Sequence, residues 1–476
     1  MNHPASYRNK RVVVLGLARS GVSVAKVFHA LGADVTVNDK KEREQCPEAD
    51  ELVALGISVL CGYHPDDLVT AETALLVKNP GIPYTAEPVQ QALRHGVEIV
   101  TEVEVAYHLS PAPIIGITGS NGKTTTTTWT GKILEEAGLN PIVAGNIGRP
   151  LCEAAQEADA LNWIVAELSS FQLKGTTFFR PRVSVLLNLA ETHLDYHGGM
   201  DDYIASKAKL FANQTAEDTA VLNWDDAVCR QLAGSLAAKL FPFSLYERLE
   251  QGVFIDPPFP APGTEDSHPD AERRIVVRDR GSETVMLPVH KLGLPGRHNA
   301  ANAIAAIAAC YAAGAQPQQM LDALREFRGV EHRLEFVRET GGVSYYNDSK
   351  ATNATATTMS VGSLKAPIVL VAGGLDRGSD YMELLPVFQS RVKALVALGQ
   401  TREKLAKVAA LAGLQQVVIV EPKEDAEATL KEAVLQAARL AEPGDAVLLS
   451  PACASWDMFE SFEQRGSIFK QSAHTL

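Results

Sequence analysis

Short runs of β-branched and other apolar residues alternate with helical stretches along almost the whole chain, and this alternation restricts the fold most. RVVVLGL (11–17) reads as a strand, Ser20 to Leu31 as a helix, and ADVTVND (33–39) as a second strand. ALLVKNPGIP (74–83) is a further strand ending in a turn, and VEIVTEVEVAY (97–107) closes this segment. Ser110–Pro113 reads as a linker. A second segment follows with strand candidates in PIIGITG (113–119), NWIVAEL (162–168), VSVLLNL (183–189) and TAVLNW (219–224). A third carries VSYYND (343–348), APIVLVAGG (366–374), ALVALG (394–399), QVVIVE (416–421) and DAVLLSP (445–451). Strands buried on both faces of a parallel sheet are apolar throughout, and helices must cross between them. The expected architecture is therefore α/β, three consecutive units with mainly parallel sheets over 1–110, 111–329 and 330–476.

A chain of 476 residues exceeds one compact core, which agrees with several domains. The polar start MNHPASYRNKR leads into a strand and reads as no secretory leader, and the Ala-rich run 300–315 is too short to span a bilayer. Six scattered cysteines without a C-x-x-C pair point to reduced thiols in a cytoplasmic protein. A net charge of −13 argues against non-specific nucleic-acid binding, and no membrane partner is expected. The acidic, proline-containing stretch 256–274 reads as an exposed loop.

GITGSNGKTT (116–125) lies between a strand and a helical run, the context of a phosphate cradle. Glycines let backbone N–H groups converge on an anion, and a helix N-terminus adds a favourable field. Gly119, Ser120, Asn121, Gly122, Lys123, Thr124 and Thr125 are the candidate contacts of ATP or GTP, with Lys123 on the outer phosphates and the Thr124 hydroxyl on Mg²⁺. The spacing departs from G-x-x-x-x-G-K-[ST], because Ile117 stands where the first glycine belongs. Glu167, at the end of an apparent parallel strand, is placed to bind the metal. GLARSG (16–21) approximates a dinucleotide fingerprint with Ala18 in place of the central glycine, and Asp39 ends the next strand. These residues alone leave a dinucleotide and a UDP group both open.

TGSNGKTT resembles the ATP loop of the Mur ligases and their folylpolyglutamate synthetase relatives. NPGIP (79–83), GNIG (145–148), ELSSFQL (167–173), HLDYH (193–197), GRHNAANAIAA (296–306), HR (332–333), NDSKATN (347–353) and SPACASWDMF (450–459) are similar to that family's motifs, in the same order. The resemblance covers nearly the whole chain, and its last two motifs look most like the D-glutamate-adding member. It implies a Rossmann-like domain over 1–110, a P-loop ATPase-like domain over 111–329 and a Rossmann-like domain over 330–476.

It implies an ATP-dependent ligase of peptidoglycan precursor synthesis, in which an acyl phosphate and a tetrahedral intermediate lead to D-glutamate joined to UDP-N-acetylmuramoyl-L-alanine. It also implies two Mg²⁺ sites, held by Thr124, Glu167, His193 and Lys207, the last as a carbamate formed with CO₂. The Y-x-x-x-K spacing from Tyr203 favours Lys207 over Lys209. Lys123, Glu167, His193 and Lys207 are the implied catalytic residues. Asn299, Asn302, Arg333 and Asp348 are implied to hold ATP, on which the third domain closes. Leu17, Arg19, Ser20, Asp39, Lys40, Asn79, Gly81 and Asn146 are implied for the UDP precursor. Lys350, Thr352, Arg377, Ser455 and Phe462 are implied for D-glutamate. The expected partners are these small molecules, with the chain a cytoplasmic monomer.

Overall fold

The computed structural model describes residues 1–191, 194–261, 263–264, 266 and 270–476, and of the side chains at 194 and 195 nothing is said. The chain divides into two compact units, Met1–Phe327 and Arg328–Leu476.

The first unit holds three sheets. One is fully parallel, in the order Ser58–Cys61, Asp34–Asp39, Arg11–Leu15, Thr73–Lys78, Ile99–Val100. This order reverses direction at Arg11–Leu15, so the loop after that strand opens at a topological switch point, where α/β sheets bind ligands. VEIVTEVEVAY divides here into the strand Ile99–Val100 and the helix Glu102–Leu109. The second sheet is also parallel, with Ile114–Thr118 between Val183–Leu186 and Trp163–Glu167. One apolar core runs through both sheets, from Val12 and Phe28 through Val103 and Leu151 to Ile164 and Leu210. The third sheet is small and mixed: Phe243–Ser244, Gly252–Asp256, Arg274–Asp279 and Ser282–Pro288. It flanks the stretch read as a loop.

The Ala-rich helix Arg297–Ala312 packs against Lys123–Glu136. Small side chains allow the close approach, and the Cys310 thiol reaches the Thr130 carbonyl at 3.6 Å. Trp129, midway along Lys123–Glu136, stacks on Phe327 at 4.6 Å, and its Nε1 donates to the Ala323 carbonyl at 3.2 Å.

The second unit has a six-stranded sheet, parallel except for the antiparallel edge pair Glu335–Thr340 and Val343–Asn347. Apolar cores cover both of its faces. Among the described residues no helix is long and apolar enough to cross a membrane.

Candidate active site

The phosphate loop rises from the strand Ile114–Thr118, and Gly122 starts the helix Lys123–Glu136. Gly122 has φ +82°, and a Cβ there would lie 2.3 Å from Asn302 Oδ1. Only glycine satisfies both the backbone and the contact. Gly122 makes no side-chain cap hydrogen bond to this helix, and a helix N-terminus offers a field that favours an anion. The Lys123 Nζ curls back to donate to the carbonyls of Gly119 at 2.8 Å and Ser120 at 3.0 Å. Asn302 meets Thr126 at 3.4 Å and Asn299 at 3.3 Å, while Asn299 donates to the Pro295 carbonyl at 2.7 Å. The two amides thus back the loop from the neighbouring helix.

Glu167 lies beside the loop because its strand pairs in parallel with the loop's strand, Ile117 opposite Glu167. Its side chain is buried. Oε1 accepts Asn146 Nδ2 at 2.8 Å, and Oε2 has no hydrogen-bond partner among the described residues. An orphaned carboxylate oxygen at 1% exposure is costly unless something occupies it. A hard divalent cation fits that requirement. Among the described residues no three His, Cys, Asp or Glu side chains cluster as a metal site. His193 lies outside the described residues.

Lys207 is buried on the helix Met200–Ala208. Its Nζ donates to Thr118 Oγ1 at 3.1 Å and the Gly119 carbonyl at 3.0 Å, and lies 4.8 Å from the Tyr203 ring centroid. Burial, and then the charge of Lys123, pull its amine down to about 7. Lys209 is used differently. Its Nζ donates to the carbonyls of Lys174 at 2.6 Å and Thr176 at 3.0 Å.

In the first sheet, a Cβ on Gly21 would lie 2.0 Å from the Gly16 carbonyl oxygen, so the loop needs glycine for helix–strand approach. Ala18 provides no side-chain cap for the helix Arg19–Ala30. The Asp39 carboxylate accepts the N–H of Leu17 at 2.8 Å and of Lys41 at 2.9 Å. Two cavities meet at this loop. One, of about 780 Å³, is lined by Asp39, Lys40, His64, Asn79 and Gly81. The other, of about 610 Å³, is lined by Arg19, Ser20, Asn79, Gly81, Asn146, Lys123 and Lys207. Both include Ala18, Asn79 and Gly81 in their walls. A cleft therefore leads from Asp39 to the phosphate-loop lysine, within the usual size of ligand sites.

Sequence reasoning passed over several residues in this cleft. Tyr203 Oη pairs with Ser120 Oγ at 2.9 Å, and Glu102, Ser170 and Phe171 line the wall. ELSSFQL did contain a readable signal, since Ser169 and Gln172 form a capping box at the S-x-x-Q spacing.

In the second unit, Asp348 is buried and accepts the Leu334 N–H at 3.1 Å and Ser450 Oγ at 2.7 Å, which fixes the bend that carries exposed Arg333. Burial pushes its carboxyl up. Lys350 Nζ lies 5.8 Å from the Phe462 ring, and the Thr352 N–H reaches the Lys350 carbonyl at 2.9 Å. Arg377 stacks on Trp456 at 5.1 Å, next to buried Ser455. Arg465, also missed in the sequence, is buried and donates to Ser349 Oγ and its carbonyl, both at 2.9 Å, and to the Cys453 carbonyl at 3.2 Å. It ties NDSKATN to SPACAS. Burial lowers it to about 10.

Three family models match the chain. Residues 10–101 match the Mur ligase MurD-like N-terminal domain, 117–310 the Mur ligase middle domain, and 332–453 the Mur ligase glutamate ligase domain. The UDP-N-acetylmuramoylalanine–D-glutamate ligase of Geobacillus sp. (strain WCH70) is 46% identical over 100% of both chains. Its namesake from Geobacillus kaustophilus (strain HTA426) is 45% identical over 99% of this chain and 98% of its own. The crystal structure of UDP-N-acetylmuramate–alanine ligase from Thermotoga maritima is similar in fold, with a TM-score of 0.51 at 18% identity, covering 98% of this chain and 99% of that one.

Proposed function

The chain belongs to the Mur ligase family, and we propose on that premise that it joins D-glutamate to UDP-N-acetylmuramoyl-L-alanine, converting ATP to ADP and phosphate. The observation that carries this reading is the shared wall of the two cavities. A nucleotide sugar bound near Asp39 and Asn79 directs its far end toward Lys123.

The reaction has two steps. The L-alanine carboxylate attacks the γ-phosphate, and the phosphate-loop N–H groups with Lys123 stabilise charge on the transferring group. The amine of D-glutamate then attacks the acyl phosphate, and phosphate leaves from a tetrahedral intermediate. Bound Mg²⁺ supplies charge neutralisation on the triphosphate. Glu167 and the Thr124 hydroxyl would hold one ion, and His193 with a carbamate on Lys207 would hold a second. The carbamate forms when the neutral Lys207 amine adds to CO₂ and releases a proton. Its burial and low basicity near neutrality support that chemistry, and the engagement of Lys209 with two carbonyls favours Lys207 over it. Asn299, Asn302, Arg333 and Asp348 serve ATP. Lys350, Thr352, Arg377, Ser455 and Phe462 serve D-glutamate, with the Arg377 guanidinium suited to a carboxylate. The enzyme works in the cytoplasm as a monomer.

The test is phosphate release from ATP and Mg²⁺ with UDP-N-acetylmuramoyl-L-alanine, comparing D-glutamate, L-glutamate, L-lysine and meso-diaminopimelate. Release only with D-glutamate is expected. Release with another amino acid moves the substrate, and no release with any of them removes the reading.

A further inference from the structure

The turn Asn79–Pro83 forms the waist of the cleft, since Asn79 and Gly81 line both cavities. Its two prolines carry no N–H, so the turn's carbonyls outnumber its donors. They are met by a residue more than a hundred positions away. Tyr196, on the short helix Leu194–His197, directs its hydroxyl to the carbonyls of Pro80 at 3.1 Å and Ile82 at 3.4 Å. Lys78 Nζ joins them, 3.2 Å from the Pro80 carbonyl and 3.4 Å from Tyr196 Oη. Lys78 is 1% exposed, and its Nζ also lies 4.9 Å from the Tyr84 ring centroid.

The Tyr196 end is itself held. Its ring meets Phe171 edge-on at 4.4 Å, and Phe171 lines the cleft. The next residue, His197, is buried between Asp202 at 2.6 Å and Ser170 Oγ at 2.9 Å, and Lys174 closes on Asp202 at 2.7 Å. A rigid platform from the second sheet's segment thus reaches the first sheet's turn. A purely structural cross-link would stabilise the unit without favouring one substrate. This one grips the backbone that forms the precursor's wall.

We propose that Tyr196 is a positioning residue for the nucleotide-sugar substrate, fastening the carbonyls of Pro80 and Ile82 so that Asn79 and Gly81 stand in a binding-competent turn before substrate arrives. Preorganisation lowers the cost of ordering on binding, so losing it appears in substrate affinity rather than in chemistry. The inference rests on the precursor reading of the cleft.

Tyr196→Phe keeps the ring on Phe171 and removes only the hydroxyl. KM for UDP-N-acetylmuramoyl-L-alanine should rise about tenfold, the scale of a lost buried hydrogen bond. KM for ATP and for D-glutamate, and kcat, should stay within about twofold. Calorimetric titration of UDP-N-acetylmuramoyl-L-alanine, without ATP, should show the same weakening in the variant. Unchanged precursor affinity, or a loss shared equally by ATP, overturns the proposal. Calorimetry also separates it from the assigned reaction. A wild type that binds the precursor but releases no phosphate with D-glutamate refutes the reaction, while the comparison of variant and wild-type binding still decides the role of Tyr196. A wild type that does not bind the precursor overturns both.

Discussion

Asn146 Nδ2 donates to Glu167 Oε1 at 2.8 Å, and the same residue's N–H reaches the Glu167 carbonyl at 2.9 Å, so one loop residue fixes both the backbone and one carboxylate oxygen of Glu167. The other oxygen is left without a partner among the described residues. Asn146→Ala frees the carboxylate to rotate. The expected result is a ten- to hundredfold loss of activity, roughly that of losing a partner that orients a metal ligand, with a higher Mg²⁺ concentration for half-maximal rate. A Mg²⁺ titration of kcat checks it. An unchanged Mg²⁺ requirement would show that Asn146 serves only the precursor.

Lys123→Ala should abolish turnover and leave the melting temperature nearly unchanged, because the Lys123 Nζ donates to carbonyls of its own loop, Gly119 and Ser120. Phosphate release and thermal unfolding are measured on the same preparation. Retention of a tenth of wild-type activity would remove Lys123 from the phosphate cradle.

The two nearby lysines should part company. Lys207→Ala is expected to lose activity at least a hundredfold and recover part of it with short-chain carboxylic acids that replace the carbamate. Lys209→Ala should cost about 1 kcal/mol of stability, from its carbonyl bonds, with kcat little changed. In wild type the Lys207 amine sits at about 7 when folded, against an ordinary 10.5. Unfolded chains therefore hold more protons than folded ones between those values, and stability from this group rises with pH across that window and is lost as pH falls through about 7. A ¹³C carbamate resonance under labelled CO₂ should be present at pH 8, fade as pH falls below about 7, and be absent from Lys207→Ala. Its persistence in that variant would assign the carbamate elsewhere.

The strands, the glycine-rich loop between strand and helix and the place of Glu167 were legible because each is a local pattern: an apolar run, a glycine spacing, an acid at a strand end. The burial of Lys207, which only the resemblance singled out, was not. YIASKAKLF fits an exposed lysine as well as a buried one, and only the packing of its helix against Thr118 and Gly119 decides. Arg465 was hidden for the same reason, since its acceptors, Ser349 and Cys453, lie far off in sequence. EVEVAYHL alternates acid and valine like a half-buried strand, yet it is helical with both acids buried. Glu104 accepts three N–H groups, from Thr177, Phe178 and Phe179, a partnership no local window contains.

Glu102, the other acid of that helix, gives a test of the wall of the cleft. Its carboxylate accepts the Cys152 N–H at 3.0 Å, at the start of the helix Leu151–Glu157, whose preceding Pro150 offers no side-chain cap. Burial raises its carboxyl from 4.5 to about 7, against the pull of that N–H. The folded chain then holds a proton that the unfolded chain has lost between those values, so stability falls as pH rises across 4.5 to 7 and is level above. Glu102→Gln keeps an acceptor oxygen for Cys152 and cannot ionise. The variant should therefore match wild type near pH 4.5 and exceed it by roughly 1–3 kcal/mol at pH 8. Urea unfolding at both pH values measures the difference. An equal difference at the two would mean that Glu102 is ionised throughout, and that the N–H groups of the Leu151 helix outweigh its burial.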